Sequence, residues 1–116
     1  MRARVIKTWT AIYTNPLTVQ AGEQLKVGRP DDEWPGWVWC ETQTGVGGWM
    51  PERLLDEAGC ARTAYTAREL TVQAGELITL HQLESGWYWA TTLSGQSGWV
   101  PASHVHSVSQ KETAAS

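Results

Sequence analysis

Few side chains in this chain have types and spacings that could support catalysis or metal binding. His104 and His106 lie two residues apart, which would place them on one face of a strand, but no third ligand stands near them in the sequence. No nucleophile, base and orienting group can be assembled from local motifs either. We therefore expect no catalytic residue, no metal site and no cofactor, and we predict that the protein is not an enzyme.

The tryptophans are more informative, because most of them recur in a repeated pattern. The chain has 116 residues and 8 Trp, and six of these lie in two copies of one motif. The first copy reads Gly-Trp-Val-Trp-Cys at 36–40 and Gly-Trp-Met-Pro at 48–51; the second reads Gly-Trp-Tyr-Trp-Ala at 86–90 and Gly-Trp-Val-Pro at 98–101. The heptapeptide Leu-Thr-Val-Gln-Ala-Gly-Glu also occurs twice, at 17–23 and 70–76. An internal repeat in so short a chain predicts two very small domains.

Strand alternation separates two faces within each copy. Trp37 points one way while Val38 and Cys40 point the other, and the small or branched face is the better core. Trp37 and Trp87 are then predicted to be exposed, where a ligand, a partner or another domain would cover them. The predicted core comprises Val19, Leu25, Val27, Val38, Cys40 and Met50 in the first repeat and Val72, Ile78, Leu80, Ala90 and Val100 in the second.

The fold class predicted from these patterns is all-β, with two tandem five-stranded barrels. Each repeat has five short alternating segments joined by Gly-rich turns, with no helical period. Pro51 and Pro101 end the fourth strands, because proline removes a ladder donor. The predicted boundaries are 1–56 for the first barrel, 57–107 for the second and 108–116 for a disordered tail. The segment 56–59, Asp-Glu-Ala-Gly, is predicted to be the linker.

Charge and cysteine content narrow the partners and the compartment. The net charge is -3 and Lys and Arg form no cluster, so neither nucleic acid nor a membrane surface is an expected partner. Two cysteines without an export signal do not indicate a disulfide framework, and we expect a cytoplasmic protein. Cys40 takes the place that Ala90 fills in the second repeat, which indicates a small core residue. The oligomeric state does not follow from the sequence.

The order of these motifs resembles the Src homology 3 (SH3) domain, and particularly the variant SH3 domains that occur in tandem in bacteria. The similarity rests on the spaced Leu, Val, Gly and Glu of 17–27, on Trp37 and Cys40, and on Gly-Trp-Met-Pro at 48–51 followed by Leu55. The same pattern begins again at Leu70 and ends at Val105. It covers most of the chain, and the duplication makes the match specific.

The resemblance implies a groove on each barrel. In the family, the first Trp of the third strand, the Pro that ends the fourth strand and aromatic residues of the first strand line a groove for a polyproline helix. The implied ligand-binding residues are Tyr13, Trp37, Pro51 and Leu54 in the first repeat and Tyr65, Trp87, Pro101 and His104 in the second. Leu54 and His104 stand where the family has a groove tyrosine. The family's long, acidic first loop is shortened to 14–16 and 66–69.

Two functions remain open from the sequence. The first is a ligand-binding protein-interaction module that takes proline-rich or other extended peptides. The second is a structural tandem unit, whose Trp faces pack barrel against barrel or build a homo-oligomer. The remaining indoles either form an aromatic strip beside the groove or have structural roles: Trp34, Trp39, Trp49, Trp89 and Trp99. In the structural interpretation, Trp34 caps its own barrel and the other four stack across the third and fourth strands. The acidic run 31–33 is predicted to be a solvated loop tip, where a basic ligand group could meet it.

Overall fold

The computed structural model describes residues 1–12 and 15–108, so the implied site residue Tyr13 and the predicted tail after Val108 lie outside the described residues. Helical structure within these ranges is limited to two three-residue 3-10 turns, Glu52–Leu54 and Ala102–His104. The all-β prediction is confirmed. The ten strands are β1 (Arg2–Val5), β2 (Thr18–Val19), β3 (Lys26–Pro30), β4 (Trp37–Glu41), β5 (Gly47–Pro51), β6 (Tyr65–Thr66), β7 (Leu77–Glu84), β8 (Trp87–Thr92), β9 (Ser97–Pro101) and β10 (Val105–Ser107).

The strands divide into two compact units that do not follow the order of the repeats. Unit 1 combines Met1–Ile12 with the chain from Glu69 onward, and unit 2 is the continuous segment Tyr13–Arg68. The first strand of each sequence repeat therefore completes the unit built from the rest of the other repeat.

Unit 1 is one five-stranded sheet in the order β10-β1-β7-β8-β9. The strand β1 pairs antiparallel with both β7 and β10, with Ala3 opposite Ile78 and Val5 opposite Val105. Period-two alternation sends Ala3 and Val5 inward, where they are 0% and 1% exposed. Their partners in the buried core of unit 1 are Leu70, Val72, Ile78, Leu80, Ala90 and Val100.

Unit 2 uses the first strand of the second repeat in the same way. Its sheets are β3-β4-β5 and β2-β6, and single bridges join Leu55 to Ala61 and Gln24 to Cys60. Ala61 in unit 2 is the counterpart of Val5 in unit 1. The Ala61 amide donates to Glu23 O at 2.9 Å, and the Val5 amide donates to Glu76 O at 2.8 Å, at matching positions of the repeated heptapeptide.

A tight turn between Leu55 and Ala61 explains this pairing. The side chain of Asp56 accepts hydrogen bonds from the amides of Ala58 and Cys60, both at 2.9 Å, and Gly59 adopts φ +83°. Backbone bonds from Asp56 N to Cys60 O and from Gly59 N to Asp56 O close the loop. An Asx-supported turn with a glycine in the left-handed region sends the chain back antiparallel to the strand it has just left.

The segment 56–59 is thus a hairpin turn inside unit 2, which corrects its interpretation as a linker. The predicted boundaries 1–56 and 57–107 describe the sequence repeats, whereas the packed units exchange their first strands. The predicted core residues are buried with one exception. Val27 is 49% exposed, while Leu80, its counterpart in the second repeat, is 4% exposed. Val27 lies beside the turn, and within the described ranges 1–12 and 15–108 no first strand extends far enough to pair with it.

The exchange of first strands predicts that a substitution in β1 lowers the stability of unit 1. Val5→Ala should destabilise unit 1 by about 1 to 3 kcal/mol, since it removes buried methyl groups next to β7 and β10. Amide hydrogen exchange should then show faster opening at Ile78 and Val100, with Val19 and Met50 of unit 2 less affected. Ala61→Gly is the matched control and should act mainly on unit 2. Faster hydrogen exchange at Val19 and Met50 in Val5→Ala, with the rates in unit 1 unchanged, would contradict the exchange of first strands.

Candidate functional site

Three aromatic side chains of unit 1 meet at one place, called the aromatic cluster below: Trp9, Trp87 and His104. The Trp9 ring lies edge-on to Trp87, with centroids 5.4 Å apart and planes at 79°, and edge-on to His104 at 5.3 Å and 83°. All three side chains are half-buried. Edge-to-face contacts of this kind are favourable, and they leave part of each ring surface open to solvent.

Each member of the cluster is held by backbone geometry. Trp9 exchanges two hydrogen bonds with Val72, of 2.9 and 2.8 Å. Trp87 begins β8 directly after the turn at Ser85 and Gly86, and it pairs in register with the buried Pro101. The 3-10 turn that carries His104 follows Pro101 at once, and its first amide donates to Gly86 O at 2.9 Å. The open end of the β8-β9 hairpin, where β8 begins and β9 ends, therefore holds Trp87, Pro101 and His104 close together.

An acidic side chain borders the cluster. The Trp9 indole Nε1 donates a hydrogen bond to Glu69 Oε1 at 3.1 Å. Burial raises the pKa of the Glu69 carboxyl above its ordinary value of 4.5, and the hydrogen bonds from Trp9 and from the Ile12 backbone oppose that shift. The aromatic cluster of unit 1 therefore has a carboxyl group beside it whose charge depends on its surroundings.

The structure brings together three of the four residues implied for the second repeat. Trp87, Pro101 and His104 are neighbours in unit 1, but Tyr65 belongs to unit 2, where its hydroxyl donates to Trp49 O at 2.8 Å. Trp9 takes the corresponding place in unit 1, since it pairs with Val72 as Tyr65 pairs with Val19. Trp9 could not be identified from the repeats alone, because each repeat was expected to keep its own first strand. An Asp and a Gly three residues apart, at 56 and 59, were the available signal for a hairpin.

The corresponding place in unit 2 is more closed. Trp37 pairs in register with Pro51, as expected, but it is only 5% exposed, so the prediction of an exposed Trp37 is wrong. Tyr65 and Pro51 are buried and Leu54 is half-buried. The loop before β4 is hydrogen-bonded to the backbone of Trp37, whose amide donates to Trp34 O and whose carbonyl accepts from Asp31 N.

The acidic run in this loop has divided roles. The Asp31 side chain accepts hydrogen bonds from the amides of Glu33 and Trp34, at 2.8 and 3.1 Å, and so shapes the loop. Asp32 and Glu33 are exposed, as a solvated loop tip requires. The half-buried Trp34 lies in this loop and not in the aromatic cluster of unit 1.

Four of the five indoles of the predicted strip form one cross-strand pair in each unit. Trp39 and Trp49 lie opposite each other with centroids 5.1 Å apart, and Trp89 and Trp99 do so at 5.3 Å. A Cβ on Gly47 would lie 2.5 Å from the Trp39 ring, so glycine is required there. These pairs stabilise their own hairpins by roughly 0.2 to 1 kcal/mol each.

The remaining polar candidates offer little chemistry. His104 lies in a 3-10 turn and the exposed His106 in β10, so they do not share a strand. Within residues 1–12 and 15–108, no three His, Cys, Asp or Glu side chains come together as metal ligands. None of the described helical segments is long and apolar enough to span a membrane. Cys40 is fully buried, as predicted, and burial raises its pKa to about 11.

The thiols should therefore differ in reactivity. At neutral pH Cys40 is protonated and inaccessible, whereas Cys60 is half-buried. A thiol-specific reagent should modify one cysteine in the folded protein and two after unfolding, and Cys60→Ser should abolish the fast reaction. Rapid modification of native Cys60→Ser would show that Cys40 is reachable.

The raised pKa of Glu69 predicts how stability varies with pH. A folded-state pKa above the unfolded value favours the protonated carboxyl, so its contribution to stability is present below about pH 4.5 and is lost as pH rises through the folded pKa. Glu69→Gln keeps an oxygen acceptor for Trp9 and should flatten this part of the profile. Denaturant unfolding between acidic and neutral pH measures both proteins. Parallel profiles for the two proteins would contradict the assignment.

Comparison with known proteins identifies the repeats. Residues 2–58 and 57–108 each match the model of a family described as variant SH3 domain. Together the two matches span nearly all of the chain, and they confirm the tandem SH3-like assignment made from the repeated motifs. None of the curated proteins matches the sequence.

Proposed function

This chain belongs to the variant SH3 domain family, whose domains are in general non-catalytic protein-interaction modules, and we propose that unit 1 binds extended peptides at its aromatic cluster. The observation that carries the proposal is the meeting of Trp9, Trp87 and His104 beside Pro101. Half-open aromatic faces next to a buried proline form a shallow apolar groove. Proline-rich and other extended peptides dock in grooves of this composition, because proline rings and other apolar side chains pack on flat indole faces.

Charge at the groove adds a preference for basic ligands. Glu69 is anchored to Trp9, and ionised Glu69 would pair with a Lys or Arg side chain of a bound peptide. A cationic neighbour would lower the raised pKa of Glu69 and so favour its charged form. Because the first loop that carries acidic residues in the family is short, we expect broad selectivity and affinity in the micromolar range or weaker.

Unit 1 is the preferred of the two units for this role. Its platform residue Trp87 is half-buried, whereas Trp37 in unit 2 is 5% exposed. A buried indole can anchor its own unit but offers little surface to a ligand. Tyr65, Pro51 and Leu54 therefore form, in this proposal, a structural counterpart of the groove rather than a second equal site. The net charge of -3 favours a protein partner over nucleic acid.

The alternative function, assembly through Trp faces, has a narrower basis. Trp39, Trp49, Trp89 and Trp99 already pack in pairs within their own units. Their ring contacts explain why these residues are present without a second copy of the chain. Sedimentation across a range of protein concentrations would reveal association, and a stable oligomer that buries Trp87 would favour the alternative.

Two matched variants on β8 test peptide binding. Titration of proline-rich and generic basic extended peptides, followed by amide chemical shifts, should perturb residues around Trp9, Trp87 and His104. Trp87→Ala should weaken binding about tenfold or more, because it removes the central platform. Trp89→Ala removes an indole two residues away, outside the cluster, and should leave affinity nearly unchanged.

The melting temperature of each variant shows whether the fold is retained. Equal loss of affinity in both folded variants, or no peptide-induced shift near Trp87 in the native protein, would contradict the proposed site.

A further inference from the structure

A second place in the molecule differs between the units in a way that indicates a binding site. Leu80 in β7 and Val27 in β3 occupy the same position of the two repeats, yet Leu80 is 4% exposed and Val27 is 49% exposed. In unit 1 the backbone of the first strand pairs with Leu80. The Met1 amino group donates to Leu80 O at 3.2 Å, and Leu80 N donates to Met1 O at 2.6 Å.

The same register can be followed in unit 2 up to the hairpin turn. Leu25 N donates to Gly59 O at 3.1 Å, so Gly59 stands opposite Leu25 as Ala3 stands opposite Ile78. Two further residues in this direction would reach the place of Met1, beside Val27. The chain instead turns at 56–59 towards Leu55, and among residues 1–12 and 15–108 no strand pairs with β3 on this side of Val27.

An open pocket of about 540 Å³ lies at this place. Leu25, Val27 and Leu55 supply its apolar lining, and Glu52, Glu57 and Arg62 are its exposed charged residues. Asp56 also lines it, but the Asp56 carboxylate is bonded to two amides of the turn. Three carboxylates against one guanidinium give the pocket a negative charge, and Lys26 on the other face of β3 is paired in register with Glu41.

We propose that this pocket of unit 2 binds a cationic extended peptide, which pairs with β3 beside Val27 and places one unbranched apolar side chain over Leu25, Val27 and Leu55. The extended form of the occupant follows from unit 1, where the backbone of Met1 pairs with Leu80 at the equivalent place, and its apolar side chain and positive charge follow from the lining of the pocket. Strand addition to an unpaired edge supplies backbone hydrogen bonds, and the pocket selects the side chain. The negative rim selects for positive charge.

Three synthetic pentapeptide amides test the site on the whole protein. The first, Lys-Thr-Arg-Met-Gly, should shift the amides of Val27, Leu55 and Gly59. The second, Glu-Thr-Glu-Met-Gly, keeps the Met but reverses the charge, and the third, Lys-Thr-Arg-Gly-Gly, keeps the charge but lacks the Met. Both should bind about tenfold more weakly or not at all, since each lacks one of the two recognised features.

Val27→Lys should abolish the shifts produced by the first peptide, because it places a positive charge, like that of the peptide, in the pocket. The position is half-exposed, so the fold should tolerate the substitution. Leu83→Lys, at a 56% exposed position of unit 1, is the matched control and should leave binding unchanged.

Three results would overturn the proposal: equal binding of all three peptides, unaltered binding by folded Val27→Lys, or no shift around Val27. Shifts confined to Ile78 and Leu80 would mean that the peptide replaces β1 in unit 1, and shifts confined to Trp9 and Trp87 would assign it to the aromatic cluster. Either result also overturns the proposal.

Discussion

The hydrogen bonds that Asp56 makes within its own turn determine how the chain is partitioned. By accepting the amides of Ala58 and Cys60, its carboxylate stabilises a reversal only a few residues long. The strand that follows returns alongside Leu55 and completes unit 2, so the second repeat has lost its own first strand. Residues 1–12 complete unit 1 instead. The pairing of β1, the burial of Val5 and the position of Trp9 all depend on this one turn.

The exchange also distributes the candidate sites. The aromatic cluster combines Trp9 of the first repeat with Trp87 and His104 of the second, so neither repeat contains it alone. The pocket beside Val27 arises from the same cause. The first strand of unit 2 begins at the tight turn and pairs only as far as Leu25, whereas the first strand of unit 1 pairs as far as Leu80. Two repeats with almost the same core pattern thus present different surfaces. Their surfaces differ through the chain connection more than through the strands themselves.

Much of the fold could be predicted from the sequence because period-two alternation and the duplicated motifs are local signals. They identified the buried Val19, Cys40 and Ala90 and the register that pairs Trp87 with Pro101. Exposure of Val27 and burial of Trp37 were not predictable in this way. They depend on whether another segment lies against the strand, and alternation says only which face a side chain is on. Tyr65 was grouped with the wrong unit and Trp9 was missed, because partner choice between equivalent first strands is a long-range property.

Exchanged strands also bear on the order in which the molecule can assemble during synthesis. Unit 2 is continuous, so all of its residues have been made once Arg68 has been added. Unit 1 needs residues that precede unit 2 in the sequence and residues that follow it, and β1 pairs with β10 although all of unit 2 lies between them in the sequence. Closing so long a loop is entropically costly and slows folding. Ala3 and Val5 therefore leave the ribosome long before the strands that bury them, and a nascent chain carries them unpaired until β7 and β10 have been translated.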